Sequence, residues 1–279
     1  MREPNSNNFR VFITNDDGIF APGISALARE LSPLCEVVIV APDGPRSAAS
    51  HSITLHKPLR LDPVENYPWG VESPFPRSAH KCSGSPTDCV MLGVLEVMKD
   101  NPPHLVISGI NQGPNLAEDL TYSGTVSAAM EGAIMGYPSI AVSLALFEGT
   151  HFETATHFLK QVIARIFFGG QLEGWQAVDV KKVNQDFGGK LFLNINVPDL
   201  PIGSVKGIKV CKPGFRGYKD VVQKMIDPKG RPFFWIAGER IEKEDQEETD
   251  IRAISEGFVS VAPLTWELFF PPAMTRLKE

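Results

Sequence analysis

The feature that most constrains the fold is a regular alternation between short apolar runs and segments with helical spacing of apolar residues. Most of the apolar runs are continuous and rich in Val and Ile. Strands of that kind are typical of a parallel sheet covered by helices on both faces, so the pattern predicts an α/β fold. The predicted strands are 10–14, 36–41, 104–108, 138–144, 190–198 and, with an alternating pattern, 257–264; the predicted helices are 24–31, 86–98, 123–135 and 151–168.

Two segments interrupt this alternation. Residues 59–81 are rich in Pro, Trp and charged residues, which predicts loops or a small hairpin. Residues 201–250 mix Gly, Pro and aromatic residues and end in the acidic run 239–250, which we expect to be a solvated loop. The sequence thus predicts a catalytic domain over residues 1–200 and an irregular, partly β C-terminal extension over residues 201–279.

Composition and charge exclude several classes of protein. The chain has 279 residues, of which 43% are hydrophobic and 22% charged, as in an ordinary globular protein. The net charge is −6 and no cluster of Lys and Arg is present, which argues against nucleic acid or an anionic membrane surface as a partner. None of the four cysteines forms a C-x-x-C pair and each lies in or beside apolar sequence, so we expect reduced, buried thiols.

The chain shows no pattern of a secreted or membrane-spanning protein. Its first ten residues are polar and lack the apolar core of a signal peptide. The most apolar window, residues 133–147, is broken by Gly136 and Pro138 and is too short to cross a bilayer. We therefore expect a soluble, cytoplasmic protein.

Short polar side chains follow the predicted strands. In an open parallel sheet, ligands bind beyond the carboxyl ends of the strands, so these side chains are expected to converge. No carboxylate partner for His51 is evident nearby in the sequence. The residues after the first strand are Asn15, Asp16 and Asp17; after the second, Asp43, Arg46, Ser47, Ser50 and His51; after the third, Ser108, Asn111 and Asn115; the next helix opens with Ser123, Gly124 and Thr125.

The adjacent carboxylates Asp16 and Asp17 indicate a cation. Two carboxylates at one strand end repel each other unless a cation lies between them, and oxygen ligands suit Mg²⁺ or Mn²⁺. Such a cation reverses the local charge and permits a phosphate to bind. The start of the helix at Ser123 offers free N–H groups as a second anion site. Two other interpretations of the pair stay open: a hairpin turn at Asp17-Gly18, or a helix cap at Asp16 beside a solvated Asp17.

Several motifs in this order resemble the stationary-phase survival protein SurE family. The strongest similarity runs from about residue 10 to 145, with looser similarity in "FLNINVP" and "TDIRAISEGFVSVAPL". The resemblance implies a Rossmann-like, three-layer α/β/α core with a mostly parallel sheet, and a C-terminal extension that takes part in dimer or tetramer assembly. The motifs are "NDDGIFAPGI", "VVIVAPDGPRSAASHSITL", "GSPTDCV", "SGINQGPNLAEDLTYSGTVSAAMEG" and "PSIAVSL".

The same resemblance implies the site residues. It implies a nucleoside monophosphate phosphatase with one Mg²⁺ or Mn²⁺ per subunit, in which Asn15 orients the aspartate pair. The implied metal ligands are Asp16, Asp17, Ser47 and Asn111; the implied phosphate-binding residues are Asn15, Asn115, Ser123, Gly124 and Thr125; the implied catalytic residues are Asp16, Asp17, Asn111 and Ser123.

We expect hydrolysis of nucleoside 5′-monophosphates, and also of 3′-monophosphates, by a metal-activated water. An aspartate nucleophile, as in haloacid-dehalogenase-like phosphatases, is a second possibility, although those enzymes need Asp-x-Asp and here the aspartates are adjacent. A non-catalytic nucleotide or metal sensor is a third. The aromatic stretch "RPFFWI", residues 231–236, further predicts self-association, as a homodimer or homotetramer.

Overall fold

The computed structural model describes residues 7–46, 49–215, 217–241 and 247–267. The strands are β1 (Arg10–Thr14), β2 (Glu36–Pro42), β3 (Leu61–Pro63), β4 (Arg77–Cys82), β5 (Leu105–Gln112), β6 (Ser139–Leu144), β7 (Phe192–Val197), β8 (Ile208–Val210), β9 (Gly217–Ile226), β10 (Pro232–Ile241) and β11 (Val259–Pro263). The helices are α1 (Pro22–Leu31), α2 (Pro86–Leu92), α3 (Gly124–Ile134), α4 (Phe152–Phe167), α5 (Val180–Asp186) and α6 (Asp250–Ser255).

Nine of these strands form one sheet in the order β3-β4-β2-β1-β5-β6-β7-β11-β8. The six strands from β4 to β7 are mutually parallel, whereas β3 and β11 run antiparallel to their inner neighbours. Strands β9 and β10 form a separate antiparallel hairpin. The predicted α/β fold with a mostly parallel sheet and a partly β C-terminal segment is therefore confirmed.

Helices cover both faces of the sheet. Val11 and Ile13 of β1 lie in the cluster packed by α1 and α4, whereas Phe12 between them faces the cluster packed by α2. Because successive residues of a strand point to opposite faces, a strand buried on both sides is apolar along most of its length. Within the described part of the chain, no helix is both long enough and apolar enough to span a membrane.

The sequence pattern did not predict β4 as a separate strand of the main sheet. Its residues Arg77–Cys82 are mostly polar, yet they pair in parallel with β2 and antiparallel with β3. The predicted loop or small hairpin over 59–81 is thus a short β3–β4 pair joined to the main sheet. Only β3 lies outside β4, so several of its side chains are partly exposed and polar residues are tolerated there.

The predicted helix over residues 86–98 is α-helical only as far as Leu92. Ser85 caps it as predicted, accepting a hydrogen bond from the Asp88 N–H while the Asp88 carboxylate accepts from the Ser85 N–H. From Gly93 the segment continues as a π-helical turn to Val97. A Cβ built on Gly93 would lie 2.1 Å from the Phe12 ring, so only glycine permits this close packing.

The predicted solvated loop over 239–250 is wrong at both ends, since 239–241 belong to β10 and Asp250 is buried, and residues 242–246 lie outside the described residues. The Asp250 carboxylate is fully buried and accepts hydrogen bonds from the N–H groups of Ala117, Gly214 and Ile251 at 2.8 to 3.0 Å. Charge composition alone does not reveal backbone donors that come from distant segments. The four cysteines, in contrast, are free and buried as predicted.

The strand order identifies where a ligand is expected to bind. From β1 the chain builds β2 and β4 on one side, then crosses to build β5, β6 and β7 on the other. At this reversal the loops after β1 and β5 diverge and leave a crevice at the carboxyl edge of the sheet. Asp16 and Asp17 follow β1 directly, and Asn111 lies near the end of β5.

Candidate active site

A tight turn places the two aspartates directly after β1. The Asn15 side chain, fully buried, donates from Nδ2 to the Gly18 carbonyl at 2.9 Å and accepts from the Gly18 N–H at 3.2 Å. Gly18 has a φ of +101°, a conformation that favours glycine. Both ends of the Asn15 amide are therefore used within the turn, and this side chain fixes the direction of the aspartates.

Asp16 is buried against the start of α3. Its Oδ1 accepts from Thr125 Oγ1 at 2.5 Å, and its carboxylate also accepts from the Thr125 N–H. Burial raises the pKa of Asp16, and the bonds from Thr125 only partly oppose that shift. Thr125, implied as a phosphate ligand, thus directs both its hydroxyl and its N–H at a carboxylate.

Asp17 is less buried and more weakly held. Its Oδ2 accepts from the Gln112 N–H at 3.4 Å, across the crevice in β5. Burial, followed by the charge of Asp16, raises the pKa of Asp17 to about 6. Within the described residues, no Lys, Arg or His forms an ion pair with either aspartate. The pair therefore concentrates negative charge with no protein cation to balance it.

The N-terminus of α3 closes the other side of the site. A Cβ built on Gly124 would lie 2.9 Å from Asp16 Cβ, so glycine permits the helix to approach the aspartate. Ser123 caps the helix, its Oγ accepting from the Val126 N–H at 3.1 Å. With the Thr125 and Val126 N–H groups in use, the Ser123 hydroxyl proton and the Gly124 N–H remain to meet an anion.

The sequence predicted a strand that ends at residue 108 and placed Asn111 in the loop after it. In the structure, Asn111 lies within β5. The register against β6 shifts between Ser108 and Asn111, so Asn111 pairs with Ser143. Its Nδ2 donates to the Gly113 carbonyl at 2.9 Å. Among the described residues its Oδ1 has no hydrogen-bond partner, which leaves an amide oxygen at the crevice.

Asn115 belongs to a buried network of amides. Its Nδ2 donates to Ser143 Oγ at 2.8 Å, and its backbone N–H and carbonyl bind the side chains of Asn194 and Asn196. Sequence reasoning missed these two asparagines. The signal was available, because they occupy alternate positions of the apolar strand β7 and so lie on one face.

Two further residues complete the comparison with the sequence predictions. Ser47, implied as a metal ligand, lies outside the described residues. His51, for which the sequence shows no nearby carboxylate partner, meets a distant one: its Nε2 lies 2.8 Å from Glu131 Oε2 on α3. The partner is 80 residues away in sequence, so only the packing of the loop against α3 brings it near.

The donor set fits a hard divalent cation. Within the described residues no three or more His, Cys, Asp and Glu side chains are grouped so that they could hold a metal ion, as the usual Zn²⁺ sites require. The two aspartates and the free Asn111 oxygen are hard oxygen donors, as Mg²⁺ and Mn²⁺ prefer. A cation there would offset the charge that otherwise repels a phosphate from these carboxylates.

Fold and site together define an open α/β protein of the doubly wound class, with an acidic, oxygen-rich site at its topological switch point. The family model for Survival protein SurE matches residues 11–220. The chain therefore belongs to the SurE family.

Curated relatives and a solved structure agree with this membership. A protein of Pelotomaculum thermopropionicum, named 5'-nucleotidase SurE, is 43% identical over 277 residues, 97% of this chain and 94% of that protein. One of Natranaerobius thermophilus with the same name is 42% identical over 261 residues, 93% of each chain. The crystal structure of a SurE protein from Aquifex aeolicus superposes with a TM-score of 0.76 at 39% identity, covering 96% of this chain and 98% of that one.

Proposed function

We propose that this protein is a divalent-metal-dependent 5′-nucleotidase that hydrolyses nucleoside 5′-monophosphates, and also 3′-monophosphates, to nucleoside and phosphate. The observation that carries the proposal is the pair Asp16–Asp17, buried and partly buried respectively, which forms no ion pair within the described residues, with Asp16 held against the N-terminus of α3. The relatives named 5'-nucleotidase SurE support the choice of nucleotide as substrate.

Each residue has a role that follows from its contacts. Asp16, Asp17 and the Asn111 amide oxygen would hold Mg²⁺ or Mn²⁺, and we include Ser47 in this set on the family resemblance. When bound, such a cation supplies Lewis-acid activation of water and offsets the charge of the phosphate. Thr125 holds the Asp16 carboxylate directly, and Asn15 holds the turn that carries both aspartates.

The helix start binds the phosphate in this proposal. Ser123 donates its hydroxyl proton, and Gly124 its N–H, to phosphate oxygens at the positive end of the α3 dipole. These donors meet the charge that grows on the phosphoryl oxygens in the transition state. Asn115 has a supporting role, because its amide network holds the β5–α3 connection against β6 and β7.

Removal of the metal tests the proposal. Exhaustive chelation is expected to abolish phosphate release from adenosine 5′-monophosphate, and added Mn²⁺ or Mg²⁺ is expected to restore it. The physical reason is that a dianionic phosphate is otherwise repelled by two carboxylates. A colorimetric phosphate assay measures this, with Zn²⁺ and Ca²⁺ as comparison ions. Full activity after chelation would disprove the metal requirement, and metal and nucleotide binding without phosphate release would indicate a sensor.

We also propose that the protein assembles as a homodimer or homotetramer through the β9–β10 hairpin. Each strand of this hairpin pairs only with the other among the described strands, and an isolated two-stranded hairpin is marginally stable in water. Its large apolar side chains are exposed on both faces, since Phe234 and Ile236 alternate with Phe233 and Trp235. A partner subunit would bury that surface.

Charge on the hairpin is therefore expected to disrupt assembly. Ile236, 87% exposed, would be replaced by Asp, and Leu55→Asp, at an 81% exposed position outside the hairpin, serves as the control. We expect light scattering to show an oligomer for the wild type and the control at micromolar concentration, and smaller species for Ile236→Asp. A monomeric wild type would contradict the assembly proposal.

A further inference from the structure

An exposed aromatic ring follows β6, the strand next to β5 in the sheet. Phe147, in the loop between β6 and α4, is 75% exposed, more than any other Phe, Tyr or Trp side chain in the described part of the chain. Single exposed apolar side chains are common on protein surfaces, so exposure alone means little. Phe147 differs from such side chains in the backbone that supports its ring and in the residues around it.

The ring edge of Phe147 lies directly on Gly113. A Cβ built on Gly113 would be 2.8 Å from both Cδ1 and Cε1 of the ring, and Gly113 has a φ of +132°. Glycine is therefore required there, both for the backbone conformation and for the close approach of the ring. One side of Phe147 is supported by backbone, and most of the ring faces solvent.

The loop that carries Phe147 is anchored on both sides of it. The Gly149 N–H donates to the Leu146 carbonyl at 3.1 Å, and the Gly149 carbonyl accepts from Gln112 Nε2 at 3.2 Å. Downstream, the Asp199 carboxylate accepts from the Thr150 N–H at 3.0 Å. A ring held in this way loses little conformational freedom when a ligand stacks on it.

The same loop is tied to the aspartate site. Gln112, which holds the loop through its side chain, donates its backbone N–H to Asp17. Asn111 is joined directly to Gly113, because its Nδ2 donates to the Gly113 carbonyl at 2.9 Å. The residues that carry the proposed metal ligand therefore also support the Phe147 ring. A base attached to a phosphate beside Asp17 and Asn111 would find this ring on the adjoining loop.

We propose that Phe147, supported by Gly113, is the platform on which the base of the nucleotide stacks, which rests on the nucleotidase function proposed above. Stacking uses the π-face that every base presents, so the residue would favour nucleotides over ring-free phosphate monoesters without selecting one base strongly. Purines, with the larger ring area, bind better than pyrimidines. Phe147 thus determines substrate class and takes no part in the chemical step.

The test compares Phe147→Ala with wild type on two substrates, adenosine 5′-monophosphate and the ring-free glycerol 1-phosphate, with saturating Mn²⁺. We expect KM for the nucleotide to rise about tenfold, within the range that aromatic–base stacking supplies. We expect kcat for the nucleotide, and both constants for glycerol 1-phosphate, to be unchanged. Phe147→Tyr should restore the wild-type KM, and Leu146→Ala, in the same loop, should not alter it.

A fluorescence measurement separates this inference from the nucleotidase function. In Phe147→Trp, adenosine, which carries no phosphate, is expected to quench tryptophan emission beyond any change seen in the wild type. Absence of phosphate release from either substrate would disprove the nucleotidase function, and the quenching would still report on stacking.

Four results would overturn the inference. The first is a nucleotide KM that does not change in Phe147→Ala. The second is an equal rise in KM for glycerol 1-phosphate, which would show a structural role for the ring. The third is an effect of Tyr122→Ala in place of Phe147→Ala, because Tyr122 is 69% exposed and precedes Ser123 directly. No adenosine-dependent quenching in Phe147→Trp would count equally against stacking.

Discussion

Asp17→Asn is expected to lower phosphatase activity by about 10³-fold or more, because the Lewis-acid contribution that it removes amounts to several kcal/mol. The same change is expected to leave the metal-free protein as stable as wild type, or more stable. Asp17 carries its charge in a partly buried position beside Asp16, and the variant relieves that repulsion. Activity assays and melting scans in chelator measure the two effects, with Asp62→Asn on the exposed strand β3 as the control.

The raised pKa of Asp17 also predicts the direction in which stability changes with pH. The pKa of Asp17 is raised to about 6 in the folded protein, against about 3.9 for an unperturbed aspartate. Between these values the folded state binds more protons than the unfolded state, so this group adds stability as pH falls from 7 to 5 and loses it as pH rises through 6. The free energy of unfolding should therefore change less with pH in Asp17→Asn than in wild type.

Bound metal should make wild type the more stable of the two proteins. A ligand that binds only the folded state raises the melting temperature, so Mn²⁺ should stabilise wild type strongly and Asp17→Asn far less. The gain for wild type should shrink below about pH 6, where protons compete for the carboxylate. If the variant melts well below metal-free wild type and Mn²⁺ shifts both equally, the aspartates act as a structural cap.

Gly124→Ala is expected to lower activity by about 10²-fold, although alanine is the better helix former. The added methyl would lie 2.9 Å from both Cβ and Oδ2 of Asp16. Because Cβ cannot move away without the backbone, the whole aspartate must shift, and a displacement of this kind near reacting groups is costly. The effect should appear as weaker metal binding and lower kcat.

Gly44→Ala is the matched control for this substitution. Gly44 lies in the loop after β2, at the same edge of the sheet, and a Cβ there would have no neighbour within 4 Å. Activity and Mn²⁺ affinity should therefore remain at wild-type levels in the control. Equal losses in both variants would show that any added methyl at this edge is harmful, and would remove the special role of the Asp16–Gly124 contact.

The parts of the fold that sequence analysis predicted are those with a strong local signal. The buried strands around β1 each contain a continuous apolar run, and Ser85 is followed three residues later by Asp88, which completes its capping box. Strand β4 was missed because a strand near the sheet edge needs no apolar run. Residues 109–112 were missed as strand because "GINQ" contains a glycine and polar residues that suggest a turn.

The candidate site was less predictable because its contacts connect distant segments. Residue types alone placed Asp16, Asp17 and Asn111 at one edge, since strand ends converge in a parallel sheet. They could not show that Thr125, 109 residues away, directs its hydroxyl at Asp16, or that Gln112 meets Asp17. Tertiary packing decides whether a polar side chain faces a ligand or bonds a neighbouring residue. Local sequence patterns do not show this.

Asp250 has a consequence for the order in which a newly made chain becomes active. Its carboxylate holds the N–H of Ala117, 133 residues earlier, in the short helical segment that leads into Ser123. During synthesis the N-terminal part of a chain emerges and begins to fold first. Here the segment before α3 has no anchor at Ala117 until α6 has left the ribosome. A ribosome-bound chain that ends before α6 contains every proposed catalytic residue but lacks this anchor, so we expect it to be less active than a chain that includes α6.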